Sequence, residues 1–101
     1  MDTEILKKLQ QESGTVLVEF YATWCPHCRK IMPVVEDVKA LLDGKVPVYQ
    51  FDIEKYSELA DELKVETIPT FMVFKNGELM WRASGEMEGD ALYGKVAEYM
   101  D

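Results

Sequence analysis

Cys25 and Cys28 are the only two cysteines of the chain, three positions apart in Trp24-Cys25-Pro26-His27-Cys28. At the start of a helix this spacing sets both sulfurs near one face, close enough to bridge after modest adjustment. The apolar run Val16-Leu17-Val18-Glu19-Phe20-Tyr21 comes just before them. A strand that leads into a Cys-x-x-Cys opening a helix is the arrangement of a dithiol–disulfide redox centre. Cys25 would stand at or just before the helix N-terminus, where free amides and the positive end of the dipole favour a thiolate. It is the expected attacking sulfur, and Cys28, one turn further in, the sulfur that resolves a mixed disulfide. His27 adds a donor or a positive charge beside both sulfurs. Favouring the thiolate stabilises the reduced form, so His27 should raise the reduction potential. The plainer reading is a solvated histidine on the first helical turn.

A metal reading competes with the redox one. One Cys-x-x-Cys with one histidine supplies two or three soft ligands, whereas structural zinc normally takes four. No second pair exists in the chain, so no metal site within it is expected; a zinc or iron–sulfur site shared between two protomers is the alternative. An inert pair of core cysteines is disfavoured because Pro26 and His27 argue for an exposed turn. Glu19 is the second informative residue. A carboxylate inside an apolar strand costs free energy unless neutralised or hydrogen-bonded. Burial should raise its pKa, which suits a proton carrier near neutral pH; a twist of the strand that lets Glu19 reach solvent is the alternative. Ile68-Pro69-Thr70 places a proline just before a strand, where the bond is sometimes cis although trans is the default.

These residues need elements to hold them. Ile5, Leu6 and Leu9 form an apolar stripe on residues 2–12, closed by Ser13-Gly14, which predicts a helix with a glycine stop. Residues 15–21 read as a strand buried on both faces. Pro26 stands where proline is tolerated, in a first helical turn. Ile31, Val35, Val38 and Leu42 continue that helix to Asp43-Gly44, with Pro33 expected to kink it. Residues 45–52 read as a second, parallel strand, and Pro47 within it argues for a sheet edge. A short helix follows at 56–64, then a strand at 70–74, and Asn76-Gly77 signals a hairpin into Leu79-Met80-Trp81. A last helix spans 89–100, weakened slightly by Gly94. The order αβαβαββα implies one mixed sheet with helices on both faces.

At 101 residues the chain is expected to be one domain, 1–101, and with 48% hydrophobic residues it can bury a core without a staple. Its net charge of −8 would repel a nucleic-acid backbone. No apolar run approaches a membrane span. Met1-Asp2-Thr3-Glu4 lacks the basic-then-apolar order of a secretion signal, which favours the cytoplasm.

With these residues in place, the sequence resembles the thioredoxin family over nearly its whole length after the first helix. The resemblance is carried by Val18-Glu19-Phe20-Tyr21-Ala22-Thr23-Trp24-Cys25-Pro26-His27-Cys28, Pro33, Thr67-Ile68-Pro69-Thr70, Phe74-Lys75-Asn76-Gly77-Glu78 and Gly85. It implies an α/β thioredoxin fold: a four-stranded mixed sheet in order 2-1-3-4 with four flanking helices, lacking the first strand of ordinary thioredoxins. It also implies a thiol–disulfide oxidoreductase acting as a protein-disulfide reductase. Cys25 then matches the nucleophile, Cys28 the resolving cysteine, and Glu19 the buried acid that relays a proton. Trp24, Pro26, Ile68, Pro69 and Gly85 match the substrate-facing surface, with Pro69 the cis-proline facing the disulfide and Gly77 a hairpin glycine. No cofactor beyond the Cys25–Cys28 disulfide is implied. The partners are protein disulfides and a thioredoxin-reductase-type donor, and the chain is expected to be monomeric. An adaptor that binds without turnover is the non-enzymatic alternative. Departures are informative too. Pro-His replaces the usual Gly-Pro and resembles the DsbA-type oxidases, without their helical insertion. The buried acid is Glu rather than Asp, and Gln50 stands where a lysine often partners it. Short thioredoxins with this site, including the desulfothioredoxins of anaerobic bacteria, are similar. A potential between about −270 mV and about −120 mV is expected.

Overall fold

The computed structural model describes residues 2–100. Along the chain run α1 (Asp2–Gln11), β1 (Thr15–Tyr21), α2 (Pro26–Leu42), β2 (Val48–Asp52), α3 (Ser57–Glu62), β3 (Thr70–Lys75), β4 (Glu78–Ser84) and α4 (Gly89–Glu98). The strands form one sheet in the order β2-β1-β3-β4, as expected. β1 pairs parallel with β2 and antiparallel with β3, and β3 pairs antiparallel with β4.

Alternation along β1 builds both faces at once. Val16, Val18 and Phe20 pack with Leu9, Phe51, Leu59, Met72 and Phe74, the layer covered by α1 and α3. Leu17 turns the other way, toward Ile31, Val35, Val38 and Leu42 of α2 and Leu92 and Val96 of α4. Two residues on from Leu17, Glu19 shares the α2 face, because side chains of a strand repeat with period two. Its neighbours across the sheet are Gln50 on β2 and Phe71 on β3. Although Pro33 removes one internal hydrogen bond, α2 runs through it for 17 residues.

Element boundaries depart from the sequence reading chiefly at β2 and α3, and α4 ends at Glu98 rather than at residue 100. The second strand begins at Val48 rather than at residue 45, leaving Pro47 just outside it. Pro47 still joins the sheet through the one backbone hydrogen-bonding group it has: its carbonyl accepts from the Leu17 N–H at 3.0 Å. The expected edge position holds. The helix expected over 56–64 covers only Ser57–Glu62, and distant residues finish both its ends. Asp2 accepts from the Leu59 N–H at 2.9 Å. The Arg82 guanidinium donates to the carbonyls of Leu63 at 2.6 Å and Lys64 at 3.1 Å. Lys64 itself turns into the left-handed region at φ 56°.

The Asn76-Gly77 hairpin is tied to the α1–β1 turn. The Gly14 N–H donates to the Asn76 side-chain oxygen at 2.8 Å, and the Asn76 N–H donates to the Gly14 carbonyl at 2.9 Å. Gly77 lies at φ 83°, and a Cβ there would fall 1.8 Å from the backbone oxygen of Gln10. Backbone cannot swing aside as a flexible side chain can. Gly77→Ala is therefore expected to cost about 2–4 kcal/mol, from left-handed strain plus overpacking. Urea unfolding checks it; an unchanged midpoint would contradict the close approach.

Candidate active site

Cys25 caps α2. Its backbone is extended (φ −80°, ψ 117°), Pro26 opens the helix, and the Cys28 N–H donates to the Cys25 sulfur at 3.3 Å. The sulfur thus meets a helix amide and the N-terminal end of the helix together. The chain is set for this by the Cys25 N–H bond to the Ala22 carbonyl at 3.2 Å, which turns it sharply out of β1. Neither cysteine is bridged to a partner.

The expectation of an exposed turn needs correcting. Cys25 and Cys28 are each only 3% exposed and pack with Ala22, Tyr21, Ile53 and Ile68. The intervening Pro26 and His27 face solvent, as do Thr23 and Trp24 before them. Helical geometry explains the split: i and i+3 share the inward face while i+1 and i+2 point away. Burial, above all, pushes the Cys28 thiol up to about 12, with the neighbouring Cys25 sulfur adding to it. Cys28 is therefore a thiol at neutral pH and needs a base before it can attack.

Glu19 stands where such a base is needed. It is 3% exposed, and with Cys28, Tyr21, Met32, Glu36 and Gln50 it lines a cavity of about 190 Å³. Burial raises its pKa, the Gln50 amide offsets part of that, and the Glu36 carboxylate adds to it. Gln50 donates to Glu19 at 2.9 Å and accepts from the Lys39 ammonium at 3.4 Å. A lysine charge thus reaches the buried acid at one remove, through Gln50. The sequence did not show Lys39 in this role.

The loop before β3 closes the other side. The Ile68–Pro69 bond is cis, and the Ile68 carbonyl accepts weakly from the Cys25 thiol at 3.9 Å. The Gly85 N–H donates to the Pro69 carbonyl at 2.8 Å, with Gly85 at φ 98°. Thr70 braces the turn through the Thr67 carbonyl and the Ser84 hydroxyl. Trp24 lies 58% exposed beside the cysteines. Cys25, Cys28, Ile68 and Pro69 therefore converge, with Glu19 behind Cys28.

His27 is placed differently from the expectation. Its Nδ1 pairs with a Glu86 carboxylate oxygen at 2.6 Å, and the Lys30 ammonium lies 3.5 Å from the other oxygen. The imidazole nitrogen is engaged by this carboxylate rather than by a sulfur. Glu86, which the pair with His27 holds below the usual carboxylate range, went unnoticed in the sequence because it lies 59 residues from its partner.

Among the described residues no cluster of three or more His, Cys, Asp or Glu side chains is arranged to hold a metal ion. No helix among the described residues is long and apolar enough to cross a membrane. A recess of about 460 Å³ between α1 and β2, lined by Ile5, Leu9, Glu12, Tyr49 and Phe51 among others, includes none of the site residues.

Comparison with known proteins places this geometry. The Thioredoxin family model matches residues 1–98. The chain is 34% identical over 93 residues to thioredoxin Y of Oryza sativa subsp. japonica, a chloroplastic protein, covering 92% of this chain and 55% of that protein. It is 36% identical over 78 residues to a thioredoxin of Rickettsia conorii, covering 77% of this chain and 74% of the relative. A mutant thioredoxin from Halobacterium salinarum superposes with a TM-score of 0.82 at 30% identity, covering 98% of this chain and 85% of the other. The chain spans about half the length of the chloroplastic relatives it matches.

Proposed function

The chain belongs to the thioredoxin family, and on that premise we propose that it reduces protein disulfides by thiol–disulfide exchange at Cys25 and Cys28. The observation that carries this reading is the Cys25 sulfur at the N-terminus of α2, meeting the Cys28 N–H on one side and the Ile68 carbonyl on the other. Cys25 thiolate attacks one sulfur of a substrate disulfide. A Cys25–substrate disulfide forms, and the other substrate sulfur leaves as a thiolate. Cys28 gives its proton to Glu19 and attacks the Cys25 sulfur, so that a Cys25–Cys28 bridge forms and the second substrate sulfur leaves as a thiolate, to which Glu19 can return the proton. The protein dithiol is oxidised by two electrons and the substrate disulfide is reduced by two. A dithiol donor of the thioredoxin-reductase kind restores the starting state.

An extended substrate segment adds alongside Ile68 and Pro69 through main-chain hydrogen bonds, with Trp24, Pro26 and Gly85 as its other contacts. Pro69 has no N–H to offer, which leaves Ile68 as the bonding residue. The protein acts as a monomer with no cofactor beyond the disulfide, in a reducing compartment such as the cytoplasm. We place its potential between those of a general reductant and a DsbA-type oxidase, raised by the Pro-His dipeptide.

Cys28→Ser tests the sequence of steps. Without a resolving sulfur the mixed disulfide should persist, so mixing the variant with a disulfide-bonded peptide should give an adduct at Cys25 that the unaltered protein does not accumulate. Mass spectrometry reads it. An adduct that forms no faster in Cys28→Ser than in Cys25→Ser would contradict the assignment of the attacking sulfur.

A further inference from the structure

We propose that Glu86 is a positioning residue that sets the oxidising power of the cysteine pair by holding His27 in an ion pair at the rim of the site. The inference rests on the thiol–disulfide reading above and deepens it. Glu86 directly follows Gly85, in the loop between β4 and α4, and its two carboxylate oxygens reach back to α2. One takes the His27 Nδ1 at 2.6 Å and the other the Lys30 ammonium at 3.5 Å. A single carboxylate therefore gathers both cationic groups at these two positions of the first turns of α2, and it does so next to the dipeptide that separates the sulfurs.

The consequence follows from charge. An imidazolium free to lie beside Cys25 would stabilise the thiolate, and a stabilised thiolate makes the disulfide a stronger oxidant. Paired with Glu86, the same imidazolium presents a nearly neutral dipole, with its Nδ1 proton committed to the carboxylate. Glu86 thus restrains what His27 alone would do, and keeps a Cys-Pro-His-Cys site within reach of reducing work. The pair is partly open to solvent, with side-chain exposures of 70% for His27 and 31% for Glu86, so salt screens it and its effect is modest. The same exposure makes replacement at position 86 compatible with folding.

The test compares four proteins: unaltered, Glu86→Gln, His27→Ala and the double variant. Two quantities are read. One is the rate of Cys25 alkylation by iodoacetamide at pH 6, which follows the thiolate population. The other is the equilibrium constant of the couple with glutathione at pH 7. Glu86→Gln should speed alkylation about two- to fivefold, the range of an exposed ion pair, and shift the equilibrium toward reduced protein by a similar factor. A fivefold shift is about 20 mV for a two-electron couple. On the His27→Ala background the same replacement should change either quantity by no more than about 1.5-fold, while Glu86→Asp, which keeps the charge, should stay near the unaltered protein. Equal factors on both backgrounds, no change, or a change of opposite sign would overturn the inference. Absence of a Cys25–Cys28 bridge in all four proteins overturns the redox reading itself; a bridge of unchanged potential overturns the role of Glu86 alone.

Discussion

Cys25→Ser should reduce the dithiothreitol-driven cleavage of a disulfide-bonded peptide by more than about 10³-fold, to the rate of the uncatalysed exchange. A serine hydroxyl at neutral pH is no substitute for a thiolate in attacking sulfur. The fold should survive the change. Oxygen is smaller than sulfur, and position 25 keeps a side chain able to cap α2 by accepting the Cys28 N–H. The loss therefore falls on chemistry, and near-unchanged thermal unfolding alongside it separates the two. A variant retaining a tenth of the activity would mean that Cys25 is not the attacking group.

Glu19→Gln should act in opposite directions on stability and on turnover. Its carboxyl holds a proton to higher pH in the folded protein than its ordinary value of 4.5, chiefly through burial. Between those two values the folded state binds more protons than the unfolded one, so stability falls as pH rises. The contribution is complete below the ordinary value and is lost as pH passes the raised one. A neutral glutamine escapes that loss. The variant should be more stable than the parent by roughly 1–3 kcal/mol at pH 8, with the gain gone at pH 3. Urea midpoints at the two pH values check this, and an equal gain at both would mean that burial of the charge is not the cause. Turnover should fall, because Cys28 sits as a thiol with its value pushed up to about 12. Losing its base should slow resolution by about 10²-fold. The loss should be largest above the titration of Glu19, where the parent carries an ionised carboxylate and the variant has none. Stopped-flow measurement of the resolving step across pH would show the parent's rising limb and its absence in Glu19→Gln.

Local features made much of this legible. The two-faced apolar run of β1, the Cys-x-x-Cys after it and Asn76-Gly77 each write their structure within a few residues, while the sheet order that the structure shows is the one the family resemblance implies. Glu19 could be singled out because a carboxylate contradicts the run it sits in. What local reading missed depends on contacts between distant segments. The ends of α3 are finished by Asp2 and Arg82, neither of which marks a helix end in the sequence. Val46-Pro47-Val48 is apolar throughout and reads as strand, yet Val46 turns back to bond the Leu42 carbonyl at 2.9 Å. Pro26 and His27 mark an exposed turn, but helical phase turns those residues outward and the sulfurs inward. Lys39 behind Gln50 and Glu86 on His27 are side-chain meetings across the fold, with no periodic or motif signature.

The measurement closest to the central claim is a redox titration of Cys25 and Cys28. The protein would be equilibrated over defined dithiothreitol and glutathione ratios, its thiols alkylated, and the products weighed by mass spectrometry. The expected result is one two-electron transition between the fully bridged and fully reduced forms, with a midpoint between about −270 mV and about −120 mV. Two alkylated thiols at every ratio, with no bridged form even under the most oxidising one, would contradict the account.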